Sequence, residues 1–345
     1  MKQLHNRVDR RLLKEHIEKS TLSRTTVSFY KYAKIGNPRI FRDHLYSILS
    51  TADVLGRIYV AVEGINGQVS VPDDRFGDFK AALYSITFLD GCRLNVAIDD
   101  DGKSFFKLAI KVRKKIVADG IEDENFDVTD NGVHINAQEF NTMADQDDTV
   151  VIDMRNHYEH EVGHFKGAIK PDVETFRESL PIVEDILNEN KEKNVIMYCT
   201  GGIRCEKATA YFKHRGFDNL YQVDGGIIEY ARKAKEAGIE NKFIGKNFVF
   251  DDRLGERITE DVIAKCHQCG KSSDAHTNCA NDACHILFIQ CSECATAHSG
   301  CCSEHCSDFN ELSEEERERL KLTTEFNGTK FGKGRYKAAR KDTLT

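Results

Sequence analysis

Val195-Ile196-Met197-Tyr198, followed at once by Cys199-Thr200-Gly201-Gly202-Ile203-Arg204, reads as an apolar strand that runs into a glycine-rich turn. A helix is predicted next, over Arg204 to Arg215. It closes on Lys213, His214 and Arg215 before Gly216, with cations in its last turn and glycine just past it. The flanking sequence repeats this unit. Strands are predicted at Val150 to Met154 and Leu220 to Val223, and helices at Val173 to Asn188 and Gly226 to Ala237. Such alternation predicts a parallel sheet covered by helices on both faces. The functional crevice of such a sheet lies at the carboxyl ends of its strands, where Asp153 and Cys199 both fall.

The turn carries the chemistry. A thiol reacts as its thiolate, and an ordinary pKa of about 8.5 leaves only a few per cent ionised at neutral pH. Thr200, Gly201 and Gly202 permit a tight curl with inward N–H groups, Arg204 adds a permanent cation, and the following helix presents its positive end. A lone Cys-Gly step is usually a buried strand end. The succession of strand, turn, arginine and capped helix instead points to a nucleophilic Cys199. Cys205, one residue beyond the turn, either resolves an oxidised Cys199 or packs the helix. The spacing Cys-x4-Arg is one residue shorter than the Cys-x5-Arg loop of cysteine phosphatases. A single sulfur atom or a planar group suits this cradle better than a phosphoryl group.

Upstream, the first ~20 residues have helical spacing. A strand is predicted at Thr25 to Tyr32, a helix opened by Asn37-Pro38, strands at Gly56 to Val62 and Gly67 to Val71 joined by Glu63-Gly64-Ile65-Asn66, a helix at Asp73 to Ser85, and extended segments near Arg93 to Ile98 and Phe105 to Val117. The order βαββαβ predicts a ferredoxin-like α+β domain over residues 1–118, with both helices on one face. Residues 119–145 are polar and acidic and read as a linker with one short helix. The α/β domain follows over 146–240.

Nine of the twelve cysteines lie between Cys266 and Cys306. Cys266-x2-Cys269 with Cys291-x2-Cys294 fits one four-thiolate zinc site, and Cys279-x4-Cys284 with Cys302-x3-Cys306 builds a second. Cys301 is an alternative to Cys302, an interleaved pairing stays open, and His267, His276, His285, His298 and His305 are alternative ligands. Full four-thiolate sites are structural, since no position is left for substrate. This cysteine-rich domain spans 241–322 and includes an acidic helix at Ser313 to Leu322. A flexible basic tail, 323–345, carries Lys330, Lys333, Arg335, Lys337, Arg340 and Lys341.

Composition narrows the class. The charge of −7 argues against general nucleic-acid affinity, although Lys103, Lys107, Lys111, Arg113, Lys114 and Lys115 form a local basic run. No apolar run has membrane-spanning length and the start lacks a secretory stretch, so a cytoplasmic protein with no membrane partner is expected, its cysteines reduced. No nicotinamide or flavin fingerprint follows a strand, so no organic cofactor is indicated. Nothing fixes the oligomeric state.

Asp153-Met154-Arg155, Glu159, Gly163-His164-Phe165, Gly167-Ala168, the Cys199 to Arg204 turn and Gly225-Gly226 together resemble the rhodanese family over roughly residues 145 to 240. The resemblance implies an α/β sandwich in which Cys199 carries a persulfide, with Asp153, Arg155 and Glu159 bracing the fold. Lys166 and Tyr230 depart from the usual proline and tryptophan. A wider match joins Leu4-His5-Asn6-Arg7, Ser28-Phe29-Tyr30-Lys31-Tyr32, Glu63 to Asn66, Met197 to Lys207, Gly245-Lys246-Asn247-Phe248-Val249-Phe250-Asp251 and the cysteine-rich end. Together these resemble the bacterial tRNA uridine hydroxylases over nearly the whole chain.

That family implies oxygen-dependent conversion of a wobble uridine to 5-hydroxyuridine, requiring the turn cysteine, with molecular oxygen as co-substrate and the tRNA anticodon arm as partner. Lys107, Lys111, Arg113 and Lys114 are then candidates for phosphate contacts and Phe29 or Tyr30 for stacking, against core roles for both aromatics. Cys199 acts either by adding to C6 of the uracil or through a persulfide or sulfenate. Two other readings remain: a rhodanese-type sulfurtransferase, and a zinc-stabilised module that binds RNA or protein.

Overall fold

The computed structural model describes residues 10–123, 125–328 and 335–337. Helix α1 (Arg10–Lys19) leads into β1 (Arg24–Tyr32), α2 (Pro38–Thr51), β2 (Leu55–Ala61), β3 (Gly64–Pro72), α3 (Phe76–Tyr84), β4 (Asn95–Val96) and β5 (Leu108–Val112). Asn37 starts α2 by accepting a hydrogen bond from the Ile40 N–H at 3.1 Å, with Pro38 in the first turn, a cap of about 1 kcal/mol. The strands lie in the order β4-β1-β3-β2-β5. Only the β2–β5 pair is parallel.

Leu45 and Leu49 of α2 and Phe79 and Leu83 of α3 pack on Val27, Phe29, Ile58, Val60 and Val69, so both helices cover one face of this sheet. Side chains alternate along a strand, which turns Thr26, Ser28 and Tyr30 to the opposite, helix-free face. The expected connection over Glu63 to Asn66 is shorter in the structure. Ala61 pairs directly with Gly64, leaving Val62 and Glu63 as the turn, and Gly64 tolerates its φ of 148° where a Cβ would meet the Lys31 carbonyl at 2.2 Å.

The second unit comprises β6 (Val133–Ile135), α4 (Ala137–Ala144), β7 (Thr149–Asp153), α5 (His157–His160), β8 (Gly163–Phe165), α6 (Phe176–Glu189), β9 (Asn194–Tyr198), α7 (Ile203–His214), β10 (Leu220–Val223), α8 (Gly226–Ala237) and β11 (Phe243–Asn247). Its sheet, β6-β10-β9-β7, is parallel throughout. Phe176, Leu180, Val183 and Leu187 of α6 and Ala208 and Phe212 of α7 bury one face against Ile152, Val195 and Met197. Phe140 of α4 and Ile227, Tyr230 and Ala234 of α8 bury the other against Val151, Ile196 and Val223.

Two expected boundaries move. Residues 119–145 are not simply a linker: β6 pairs with β10, and α4, held by an Asn136–Glu139 capping box, packs into the same core. The polar surface of 133–145 hides Ile135, Ala137 and Phe140, too few apolar positions to stand out in the sequence. The expected division at 241 is also crossed, because β11 pairs antiparallel with β8.

The remaining elements are β12 (Glu256–Arg257), which pairs with β11, the hairpin β13 (His276–Asn278) and β14 (Leu287–Ile289), α9 (Ser292–Ala297), α10 (Glu304–Glu311) and α11 (Glu314–Leu320). Ser313 and Glu316 cap α11 reciprocally. Part of the expected flexible tail is tied down: Arg335 holds Asp172 at 3.0 and 2.6 Å, and Tyr336 stacks on Phe288 with ring centroids 5.7 Å apart. Leu4 to Arg7, Lys330, Lys333, Arg340 and Lys341 lie outside the described residues. Among the described residues no helix is long and apolar enough to cross a membrane.

Candidate active site

Cys199 follows the last residue of β9, and the chain curls through Gly202, whose φ of 100° suits glycine, into α7. The Gly202 N–H donates to Cys199 Sγ at 3.2 Å. The first turn of α8 holds this loop from outside: the Ile227 N–H donates to the Cys199 carbonyl at 3.0 Å and the Ile228 N–H to the Thr200 carbonyl at 3.2 Å. That approach explains the second glycine pair. A Cβ on Gly226 would lie 2.5 Å from the Cys199 carbonyl oxygen and 2.7 Å from that of Thr200.

The sulfur is ionised. Burial opposes the charge, but the Cys205 thiol, the Arg204 guanidinium and the N–H groups of Arg204 and Gly202 outweigh it and bring the Cys199 pKa down to about 5. Burial and the neighbouring thiolate push Cys205 the other way, well above the ordinary thiol range. Cys205 therefore stays protonated and donates to its neighbour while packing in the core of α7. Of the two roles expected of Cys205, the structure shows the packing one.

Arg204 is fixed in turn. Glu159 accepts from Nη1 at 2.6 Å and from Nη2 at 2.7 Å, and the guanidinium lies over the Phe250 ring at 5.9 Å. Asp153 and Arg155 form a separate, fully buried pair, with Nε to Oδ1 at 2.9 Å and Nη2 to Oδ2 at 2.6 Å, and Arg155 also donates to the Gly163 carbonyl. This pair ties β7 to β8.

A cavity of about 580 Å³ opens beside Cys199, within the usual size range of ligand sites. Three parts of the chain wall it. The helix-free face of the first sheet gives Ser28, Tyr30, Tyr59, Gln68 and Asn95; the parallel-sheet unit gives Cys199, Thr200, Gly201 and Arg204; the segment after β11 gives Val249, Phe250 and Arg253. The walls are locked together. Lys207 on α7 binds Glu63 at 2.5 Å and Asp119 at 2.6 Å, the Tyr32 hydroxyl donates to the Ile203 carbonyl at 3.1 Å, and Arg57 donates to the Phe250 carbonyl.

The other expected residues divide. Phe29 belongs to the first core, only 1% exposed, whereas Tyr30 borders the cavity with its hydroxyl on Glu206 at 3.0 Å. Lys111, Arg113 and Lys114 are exposed and Lys107 is partly so; Arg113 lies over the ring of the cavity residue Tyr59 at 5.4 Å. Cys266, Cys269, Cys291 and Cys294 converge with all four sulfurs within 4.8 Å of one another, as do Cys279, Cys284, Cys302 and Cys306. Each group can hold a metal ion. Cys301 is left out of both and accepts from Asn310 Nδ2. That Asn95, Tyr59 and Arg253 line the cavity was missed, because positions facing a cavity between domains show only as polar residues on strands and loops.

Models of known families match the three parts: a UPF0176 acylphosphatase like domain over residues 24–116, a rhodanese-like domain over 136–233 and a Rhodanase C-terminal region over 244–307. The tRNA uridine(34) hydroxylase of Photorhabdus laumondii is 56% identical over 336 residues, covering 97% of this chain and 95% of its own length. That of Pectobacterium carotovorum is 56% identical over 329 residues, covering 95% and 92%. A solved rhodanese-like domain protein from Staphylococcus aureus is 23% identical over 28% of this chain and 90% of its own, with a TM-score of 0.24.

Proposed function

This chain belongs to the tRNA uridine(34) hydroxylase family, and from that premise we propose that the Cys199 thiolate meets the base of uridine 34 inside the three-walled cavity. The protein is an oxidoreductase that hydroxylates this uridine. The observation that carries the site assignment is a buried, ionised cysteine among the residues that line a cavity of about 580 Å³, under the helix-free face of a neighbouring sheet. A wobble base is unpaired and enters such a pocket at little cost.

In this reading the thiolate forms a bond to C6 of the uracil and the C5=C6 electron pair moves onto C5 and the C4 carbonyl. C5 becomes nucleophilic enough to take one atom of molecular oxygen. The other atom leaves as water, with two electrons and two protons from an external reductant. Loss of the C5 proton and departure of the thiolate then restore the ring as 5-hydroxyuridine. A route through a Cys199 sulfenate is favoured by one observation, the Cys205 thiol hydrogen-bonded to the same sulfur, since that thiol is placed to condense with an oxidised neighbour.

The first domain, read as ferredoxin-like, offers Lys111, Arg113 and Lys114, with Lys107 beside them, to the phosphates of the anticodon arm; Arg113 borders the cavity through Tyr59. Zinc is the metal that suits two four-thiolate groups, and there it would supply folding energy rather than chemistry. A tRNA substrate supports a cytoplasmic location. Nucleoside mass spectrometry of tRNA from cells lacking the protein, complemented with wild type or Cys199→Ser, tests the assignment. Wild type restores 5-hydroxyuridine and the serine variant does not; full restoration by serine, or a sulfur-bearing nucleoside in its place, overturns the reading.

A further inference from the structure

The cavity wall facing the cysteine turn contains a hydrogen-bonding group with no protein partner. Asn95, on β4, is 2% exposed and lines the cavity, and its Oδ1 accepts no hydrogen bond. Its Nδ2 faces the Gly201 carbonyl at 3.5 Å. The reverse orientation of the amide would set two carbonyl oxygens against each other, so the Gly201 carbonyl fixes Oδ1 as the free acceptor. On the turn itself the Thr200 hydroxyl is likewise buried and unpartnered. A buried polar atom without a partner costs about 1–3 kcal/mol, and two beside one reactive sulfur imply that the ligand supplies the missing contacts.

A uracil offers one donor, N3–H, between two carbonyl acceptors. We propose that Asn95 is the specificity-determining residue for the base: its Oδ1 accepts the uracil N3–H while the Thr200 hydroxyl donates to a ring carbonyl. Cytosine reverses the critical atom. Its N3 carries a lone pair, which would face Oδ1 as acceptor against acceptor and leave both unpaired, the situation in which polar sites discriminate most strongly. The first domain thereby contributes base selection as well as a wall, because the strand pairing that sets Asn95 opposite Ser28 aims both at Gly201.

This inference rests on the reading that the base of uridine 34 enters the cavity. The test uses the full chain and short anticodon stem–loop RNAs that carry uridine or cytidine at position 34. Two readouts are taken: RNA affinity, and protection of Cys199 from iodoacetamide. Wild type should bind the uridine form about tenfold more tightly than the cytidine form, and Asn95→Ala should bind both with the weaker affinity. Asn95→Ser, which retracts the acceptor, gives the same loss if the alanine variant does not fold. Protection of Cys199 combined with undiminished discrimination in the variants overturns the role of Asn95 alone. Absence of any protection in wild type overturns entry of the base as well. A variant that weakens both RNAs equally assigns Asn95 a purely structural role and also overturns the proposal.

Discussion

Glu159 grips Arg204 through two parallel hydrogen bonds of 2.6 and 2.7 Å, from a helix 45 residues earlier in the chain. The guanidinium that stabilises the Cys199 thiolate is thus held in place from behind, with its charge partly balanced and its direction set. Both partners are almost fully buried. Glu159→Ala leaves the buried Arg204 without its carboxylate partner and should destabilise the protein by about 3–5 kcal/mol. Glu159→Gln keeps one acceptor and should cost less. Urea denaturation of both variants measures the difference.

The pKa of about 5 at Cys199 sets a pH profile. Because the shift is downward, the thiolate persists through neutrality and is lost only as the pH falls through about 5. Alkylation of Cys199 by iodoacetamide should therefore be nearly constant above about pH 6 and fall to half near the pKa. Arg204→Gln removes one stabilising charge and should raise the midpoint by about 1–3 units. A midpoint near the free-thiol value in wild type would refute the assignment of an ionised sulfur.

Gly226 meets the cysteine turn backbone to backbone. A Cβ there contacts the Cys199 and Thr200 carbonyls and the Gly201 N–H, at 2.5, 2.7 and 2.8 Å, and the φ of 66° disfavours any other residue. None of these atoms is the end of a flexible side chain. Gly226→Ala should displace the turn and abolish tRNA hydroxylation while leaving most of the fold intact, which nucleoside analysis and circular dichroism together resolve.

Lys207 carries a charge that two acidic groups share, Glu63 at 2.5 Å and Asp119 at 2.6 Å, with its ammonium over Tyr32 at 5.6 Å. Lys207→Met leaves two carboxylates facing each other across the seam between the first and second units. The loss should be on the order of 3 kcal/mol, with faster proteolysis near residues 113–123.

Chelation should strip two metal equivalents per chain and unfold the region from Cys266 to Cys306 first, because its apolar core is small and built largely around the sulfurs themselves. Metal analysis and a thermal melt before and after chelation follow both effects.

The parallel sheet was legible because its period is local: Val195 to Tyr198, Cys199 and the capped helix adjoin in sequence, as do their repeats. The four-thiolate groups were legible from spacing for the same reason. Other features depend on contacts across the chain. Glu159 and Arg204 meet only because β7 and β9 lie side by side, and β6 vanished among acidic neighbours because three residues are too few to show alternation. Asn95 gave no signal, since a buried amide on a two-residue strand looks like any surface loop until the opposing wall is in place.

The chamber's shared construction bears on what its sulfur can meet. The rhodanese-like part taken by itself supplies a primed sulfur with an unroofed approach, able to meet any small electrophile that diffuses in. With the helix-free face of the first sheet and the segment after β11 set above it, the same sulfur faces a bounded chamber whose shape is decided where the parts of the chain meet.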